Sequence, residues 1–535
     1  MCYSRMYAAF VLAAGVVCAV PNPAMAQGQT AGVRRLSVDD AVRLAVEQNL
    51  GIQIERLNPQ IQDVAVAQAQ SYRVPTVNST LQGNSQNAPS TSFLSGGAAK
   101  TTDNKFSTQF GLTQILPTGA NYSLAWNSAR STSTNSFTNF EPLLSSNLAF
   151  NLSQPLLRNR TIDSYRQQLL TTRKDREAAD MSLHATVATT TRNVKIAYWD
   201  LAYARENLQA QQQSLDLAKR ALADNEKRVQ IGTMAPIDIV EAQSEVARNE
   251  EVVIVAEAAI KQAEDRLRVL ILNPSAPDFW TTTLEPSEPM PFTAVAVDVD
   301  GATRKAIDNR TDVQLAKNSI EKNDLSLKYF RTQLLPEVNA NFALQTNGVG
   351  GAQLSPITSF TGTQAPRSVV AERSYFTALG DVIASKYPTW TLGVTVSYPL
   401  GGNAQEVNFA RAKLQYDQAK SQLQNLEMQI GTQVRDAARQ VTTNAKRVGS
   451  AKAARDLAEQ RLAAEEKKFA AGIQISFFVF QAQRDLAQAR TNEIKAIADY
   501  NKSVVDFEAV QETSLTGTTQ LTSAAAGTRD RKSVV

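Results

Sequence analysis

The 535-residue chain holds one histidine, His184, and two cysteines, Cys2 and Cys18. Acid–base and nucleophilic catalysis draw most often on an imidazole or thiolate held beside a partner group, and metal sites on several such ligands at fixed spacing. His184 has no second imidazole to pair with, both cysteines fall within the first 26 residues, and no nucleophile elbow or phosphate-binding glycine loop occurs. A hydrolase built on Ser or Asp stays open but has no motif. The inventory therefore predicts no enzyme, no metal site and no cofactor. What recurs at fixed spacing is a turn: "VQIGTMAPIDIVEAQ" at 229–243 and "FAAGIQISFFVFQAQ" at 469–483. In each, Gly232 or Gly472 ends a helical run where positive φ is favoured. Pro236, as first helical residue, or Ser476, as capping serine, opens the next helix. Asp238 and Glu241 fall in the first turn of the outgoing helix, where a carboxylate meets the positive end of the helix dipole. The motif is a helical-hairpin tip, made twice.

The elements that carry these tips follow from the rest of the sequence. Residues 1–26 read as a signal peptide: Arg5 gives a positive start, Tyr7 to Val20 an apolar run too short to span a bilayer, and Ala24-Met25-Ala26 a cleavage site. With Arg5 gone, 54 basic and 51 acidic side chains remain (55 − 1 against 51), which gives no reason to expect nucleic acid as a partner. No later stretch is apolar enough for a spanning helix. A membrane-spanning form would have to use strands.

The chain is one unit written twice. Ala41/Ala302, Ala45/Ala306, Gln53/Gln314, Pro75/Pro336 and Asn78/Asn339 share an offset of 261; Leu217/Leu457, Leu222/Leu462, Gly232/Gly472 and Gln243/Gln483 share an offset of 240. The expected organisation is a first repeat at 27–290, a second at 291–512, and a disordered tail at 513–535. Val187, Val194, Leu201, Leu208, Leu215, Leu222 and Val229 recur every seven residues, with Ala197, Ala204 and Ala218 at companion positions. Such a seam fits long helices packed closely as staves, although a dimeric coiled coil shares the heptad. From Thr161 to Ile231 the sequence is helix-compatible throughout. "TWTLGVTVSY" (389–398), "NLAFNLS" (147–153) and "VNANFALQ" (338–345) alternate as strands with one apolar face. "FSTQFGLTQILPTGANYSLAWN" (106–127) reads as a hairpin found only in the first half. Segments 84–104, 129–145 and 347–386 are rich in Gly, Ser, Thr and Asn and read as exposed loops.

Taken together, the signal peptide, the two repeats, the paired tips, "LSQPLLRN" (152–159) and "AYWDL" (197–201) resemble the TolC-like outer-membrane efflux proteins. The resemblance implies an α+β membrane protein, a homotrimer with a long-helix periplasmic α-barrel below an outer-membrane β-barrel set in lipid. Such a protein is the passive exit duct of a tripartite efflux or type I secretion system, coupled to a periplasmic adaptor and an inner-membrane transporter. By position, adaptor docking falls on the tips, at Gly232, Thr233, Pro236, Asp238, Gly472 and Ser476. The periplasmic aperture falls on Gln474, Phe478 and Gln481. The family often has acidic and basic groups there, so this chain departs from that pattern; either Phe478 rings seal the duct by apolar contact, or Phe477, Phe478 and Phe480 pack as core between helices. The competing expectation is a coiled-coil surface adhesin or structural envelope protein without channel activity.

Overall fold

The computed structural model describes residues 33–89, 100–135, 137–357 and 367–511. The segments read as signal peptide (1–26) and disordered tail (513–535) lie outside the described residues. Strand β1 (Val33–Leu36) leads into helices α1 (Val38–Gln48), α2 (Leu50–Glu55) and α3 (Leu57–Gln70), then strands β2 (Thr76–Pro89), β3 (Lys100–Ile115), β4 (Asn121–Ser133) and β5 (Phe140–Pro155). Helices α4 (Ser164–Gln230) and α5 (Ile237–Ile271) follow, and then β6 (Thr283–Pro286). A related order returns, without a β3–β4 counterpart and with β8 and α8 added, in α6 (Val299–Asn309), α7 (Thr311–Gln333), β7 (Glu337–Leu354), β8 (Val369–Arg373), α8 (Tyr375–Ile383), β9 (Pro388–Ser397), α9 (Ala404–Ala470) and α10 (Ser476–Gln511).

Helices α4 and α9 are each 67 residues long, about 100 Å at 1.5 Å per residue. Both start where the sequence supplies a cap: the Asp163 carboxylate accepts from the Arg166 N–H, and the Asn403 side chain accepts from the Gln405 and Glu406 N–H groups. No proline interrupts either helix. The heptad residues Val187, Val194 and Leu201 are buried, as are the companion alanines 197, 204 and 218, so small side chains bring the helices close, as the spacing predicts. "AYWDL" now has a physical role. Tyr198 is fully buried in the main core with Trp199 and Leu201, its hydroxyl donating to the Leu36 carbonyl (3.1 Å) and tying the parallel β1/β6 pair to α4. Glu285 of β6 sits between Arg205 (3.1 Å) and Arg35 (3.3 Å); the hydrogen bond from Arg205 holds its carboxyl below the usual carboxylate range, with Arg35 adding to the effect.

The large sheet runs β2-β3-β4-β5-β7, and β9 and β8 pair successive stretches of β7. All of its pairings are antiparallel. The hairpin expected at 106–127 is present and longer, turning at Gly119 with φ +83° and joining the sheet between β2 and β5. Three loop expectations are corrected. Segment 84–104 contains the upper ends of β2 and β3, 129–145 those of β4 and β5, and 347–386 holds the end of β7 with β8 and α8. Residues 90–99, 136 and 358–366 of these segments lie outside the described residues. Among the described residues, no helix is long and apolar enough to cross a membrane.

Candidate functional site

Two features follow from this fold: a two-faced sheet at one end and two helical tips at the other. Registered pairs place Val77, Leu81, Phe110, Leu112, Leu124, Trp126, Leu148, Phe150, Phe342, Leu344, Trp390 and Leu392 on one face, because side chains alternate and paired residues share a side. Many stay exposed, with Val77 at 74% and Trp390 and Leu392 at 69%. The opposite face is polar and bonded across strands: Asn127 donates to Asn147 (2.7 Å), Ser153 to Asn341 (2.8 Å), and Asn341 to Thr395 (2.9 Å). Thr76, Thr113, Ser123, Asn151, Asn341 and Thr391 of this face line one pocket together with Tyr122, Leu152 and Phe342. One apolar face and one polar face are what a wall between lipid and an aqueous lumen requires.

Both tips close in the same way. Gly232 and Gly472 have φ of +77° and +73°, as the sequence predicts. In the first tip the Thr233 N–H donates to the Arg228 carbonyl and the Gly232 N–H to that of Val229; in the second, Ile473 donates to Lys468 and Gly472 to Phe469. These are paired Schellman closures, which satisfy the last carbonyls of each long helix. Thr233 adds its hydroxyl to the Arg228 carbonyl (2.9 Å).

Two expectations at the tips change. Pro236 is the residue before α5, not its first helical residue. Ser476 is the first residue of α10, and its buried hydroxyl donates to the Asp238 carboxylate (3.1 Å) in the other tip. Asp238 also accepts from the Ala235 N–H (3.3 Å), so it stabilises its own turn and joins the hairpins. Two more contacts join them: Arg228 lies over the Phe469 ring at 4.7 Å, and Arg484 donates to the buried Glu245 (3.0 Å) while also donating to Gln481 (2.8 Å). Sequence reading missed Arg228, Glu245 and Arg484 in this role. A signal existed for one: Glu245 recurs as Asp485 at the 240-residue offset, an acid kept in both copies.

The three aperture candidates separate. Gln481 is tied into the Arg484–Glu245 network, and Gln474 is half-buried. Phe480 is buried between helices, whereas Phe477 and Phe478 stay 45% and 42% exposed and stack edge to face, with centroids 5.6 Å apart. Phe478 occupies in the second tip the place of Asp238 in the first (478 − 238 = 240). The first tip thus carries a carboxylate where the second carries a ring, and Ile231, Ile237, Ile473 and Ile475 leave both ends apolar and exposed. Among the described residues, no three His, Cys, Asp or Glu side chains gather as metal ligands.

Residues 41–271 match the model of the outer membrane efflux protein family. Among curated proteins, none matches the chain at a significant level. Several solved structures share its fold. The Campylobacter jejuni CmeC outer membrane channel is 14% identical, covers 89% of this chain and 85% of its own, and superposes with a TM-score of 0.58. The outer membrane protein VceC from Vibrio cholerae is 14% identical over 89% of this chain and 95% of its own, with a TM-score of 0.61. The Neisseria gonorrhoeae MtrE outer membrane channel, in its open state, is 14% identical over 89% and 88%, with a TM-score of 0.58.

Proposed function

We propose that this chain, whose residues 41–271 match the outer membrane efflux protein family, is a TolC-like outer-membrane channel, three copies of which enclose one passive duct whose periplasmic end docks an adaptor through both helical tips and is narrowed by Phe478. The observation that carries the reading is the pairing of a two-faced sheet with two matched, glycine-closed tips about 100 Å away along the helices. Lipid and water each find a compatible face at one end. At the other, two similar tips per copy present six quasi-equivalent apolar ends to a ring of adaptor hairpins. Gly232, Thr233, Pro236 and Asp238 shape the first docking end, and Gly472 and Ser476 the second. Phe478 and Gln474 face the narrow end, with Gln481 supporting them through Arg484. On this reading, energy comes from an inner-membrane transporter.

The test uses the mature protein purified from outer membranes. It should migrate as a detergent-stable trimer, conduct ions in a planar bilayer without an energy source, and bind an adaptor's helical hairpin only with intact tips. Recovery as a soluble periplasmic monomer, or trimers that never conduct, would overturn the reading.

A further inference from the structure

The sheet ends in two free edges. Among the described residues β2 pairs only with β3 and β9 only with β7. Every residue of β2 except Ala88, and of β9 except Gly393, is exposed. Edge N–H and C=O groups beside a lipid-facing surface must find partners, because hydrocarbon offers none. Six strands cannot satisfy them by closing on themselves, since about eight already leave room only for side chains.

We propose that β2 of one copy pairs with β9 of the next, with Thr76 opposite Ser397, so that the inserted β3–β4 hairpin makes the trimer's wall eighteen strands, six per copy. The proposal deepens the trimeric-duct reading and rests on it. Strand direction supports it first: neighbours alternate through all six strands, so β2 and β9 run oppositely and the ring closes without a parallel seam. Face parity supports it next. Apolar residues fall on odd positions of β2 and even positions of β9, and this register sets Val77 against Val396 and Leu81 against Leu392. Asn78 then meets Thr395, and Gln82 meets Thr391, on the polar side.

Stagger selects the register. One bonded row runs Thr76, Thr113, Ser123, Asn151, Ala343, Thr391, and Ser397 lies six residues beyond Thr391 toward the helices (397 − 391). Six residues at about 3.3 Å, spread over six strands about 4.8 Å apart, give a tilt of about 35°, in the range of closed barrels. Setting Thr76 beside Ser397 therefore brings each copy's sheet to the same height.

The hairpin also explains the bore. Eighteen strands at that tilt give a circumference of about 105 Å, about 34 Å across. Twelve long helices, four per copy, spaced by about 8–10 Å give about 95–120 Å. Without the hairpin, twelve strands at the same tilt would give only about 70 Å. The inserted pair widens the sheet to the helical wall it stands on, and the barrel imposes no constriction of its own.

The test uses introduced cysteine pairs, since the chain has no cysteine after Cys18. Gln82→Cys with Thr391→Cys, and separately Asn78→Cys with Thr395→Cys, is treated in outer membranes with a short bis-methanethiosulfonate linker. Covalent dimers and trimers should collect most of the subunits in either variant. Asn127→Cys with Asn147→Cys, across β4 and β5, should link within each copy and leave neither thiol free for a bulky maleimide. Linkage of the first pairs without the second would overturn the eighteen-stranded wall. Linkage of neither inter-copy pair in trimers that still conduct would overturn the β2–β9 pairing and leave the duct reading standing. A parent protein that forms no trimer would overturn both.

Discussion

At the tips, single residues carry roles that can be separated by what surrounds them. A Cβ added at Gly232 or Gly472 meets no atom within 4 Å, so substitution costs backbone strain alone. Gly232→Val or Gly472→Val should therefore strain the turn by on the order of 1 kcal/mol or more, loosening the Schellman closure. Binding of an adaptor hairpin should fall several-fold in a pull-down, while the trimer band on a gel is unchanged. Phe478 tests the aperture. Three carboxylates at a narrow end repel one another and attract water, so Phe478→Asp should raise single-channel conductance. Wild-type conductance in a normally assembled mutant trimer would assign Phe478 to packing against Phe477 and move the gate elsewhere. The glycines were legible because only positive φ ends a helix in that way. The Arg484–Glu245 contact was not, because it crosses 239 residues and depends on how two hairpins lie side by side.

Among elements, the first long helix was readable to within three residues, Thr161–Ile231 against Ser164–Gln230, since a seven-residue repeat is a local property of one stave. The upper strand ends were not. In β2, Asn78, Thr80, Gln82 and Asn84 face the polar side, and only Val77 and Leu81 mark the other. A strand with water on one face loses half of its apolar signal, and composition then resembles a loop. The hairpin supplies a direct check on which face meets lipid. Leu124 pairs with Phe150 on the apolar side, and Asn127 with Asn147 on the polar side. Leu124→Arg should cost up to about 2–4 kcal/mol if it lies near the bilayer midplane, and reduce trimer recovered from outer membranes, whereas Asn127→Arg should be tolerated. Equal recovery of the two variants would contradict the facing. A second element-level prediction concerns β6. Because the folded-state pKa of Glu285 is lowered, its contribution is present above the ordinary value of 4.5 and is lost as pH falls through the folded value. Between pH 6 and 3 the parent's melting temperature should therefore fall more steeply than that of Glu285→Gln.

At the scale of the whole molecule, duplication makes two hairpins that are alike in backbone and unlike in surface. Along the upper part they are fastened by Lys502–Asp200 (2.9 Å), Arg192–Asp506 (2.7 Å) and Lys195–Glu508 (3.2 Å) between α4 and α10. At the tips the fastening narrows to Asp238–Ser476, Glu245–Arg484 and the Arg228–Phe469 stack. On the proposed duct reading, opening at the tips would swing one hairpin against the other while the upper contacts hold, and these three contacts would oppose it. Glu245 is only 8% exposed, and removing its charge leaves Arg484 without its carboxylate partner, with only the Gln481 hydrogen bond, in a half-buried site. The double variant Glu245→Gln, Ser476→Ala should therefore populate an open end, with conductance raised several-fold and a longer open dwell time. Trimer melting should move little, because the upper ion pairs and the main core around Tyr198 are untouched. If conductance stays at the wild-type level while melting drops, the tip contacts hold the fold and not the aperture, and the opening hinge must lie above them.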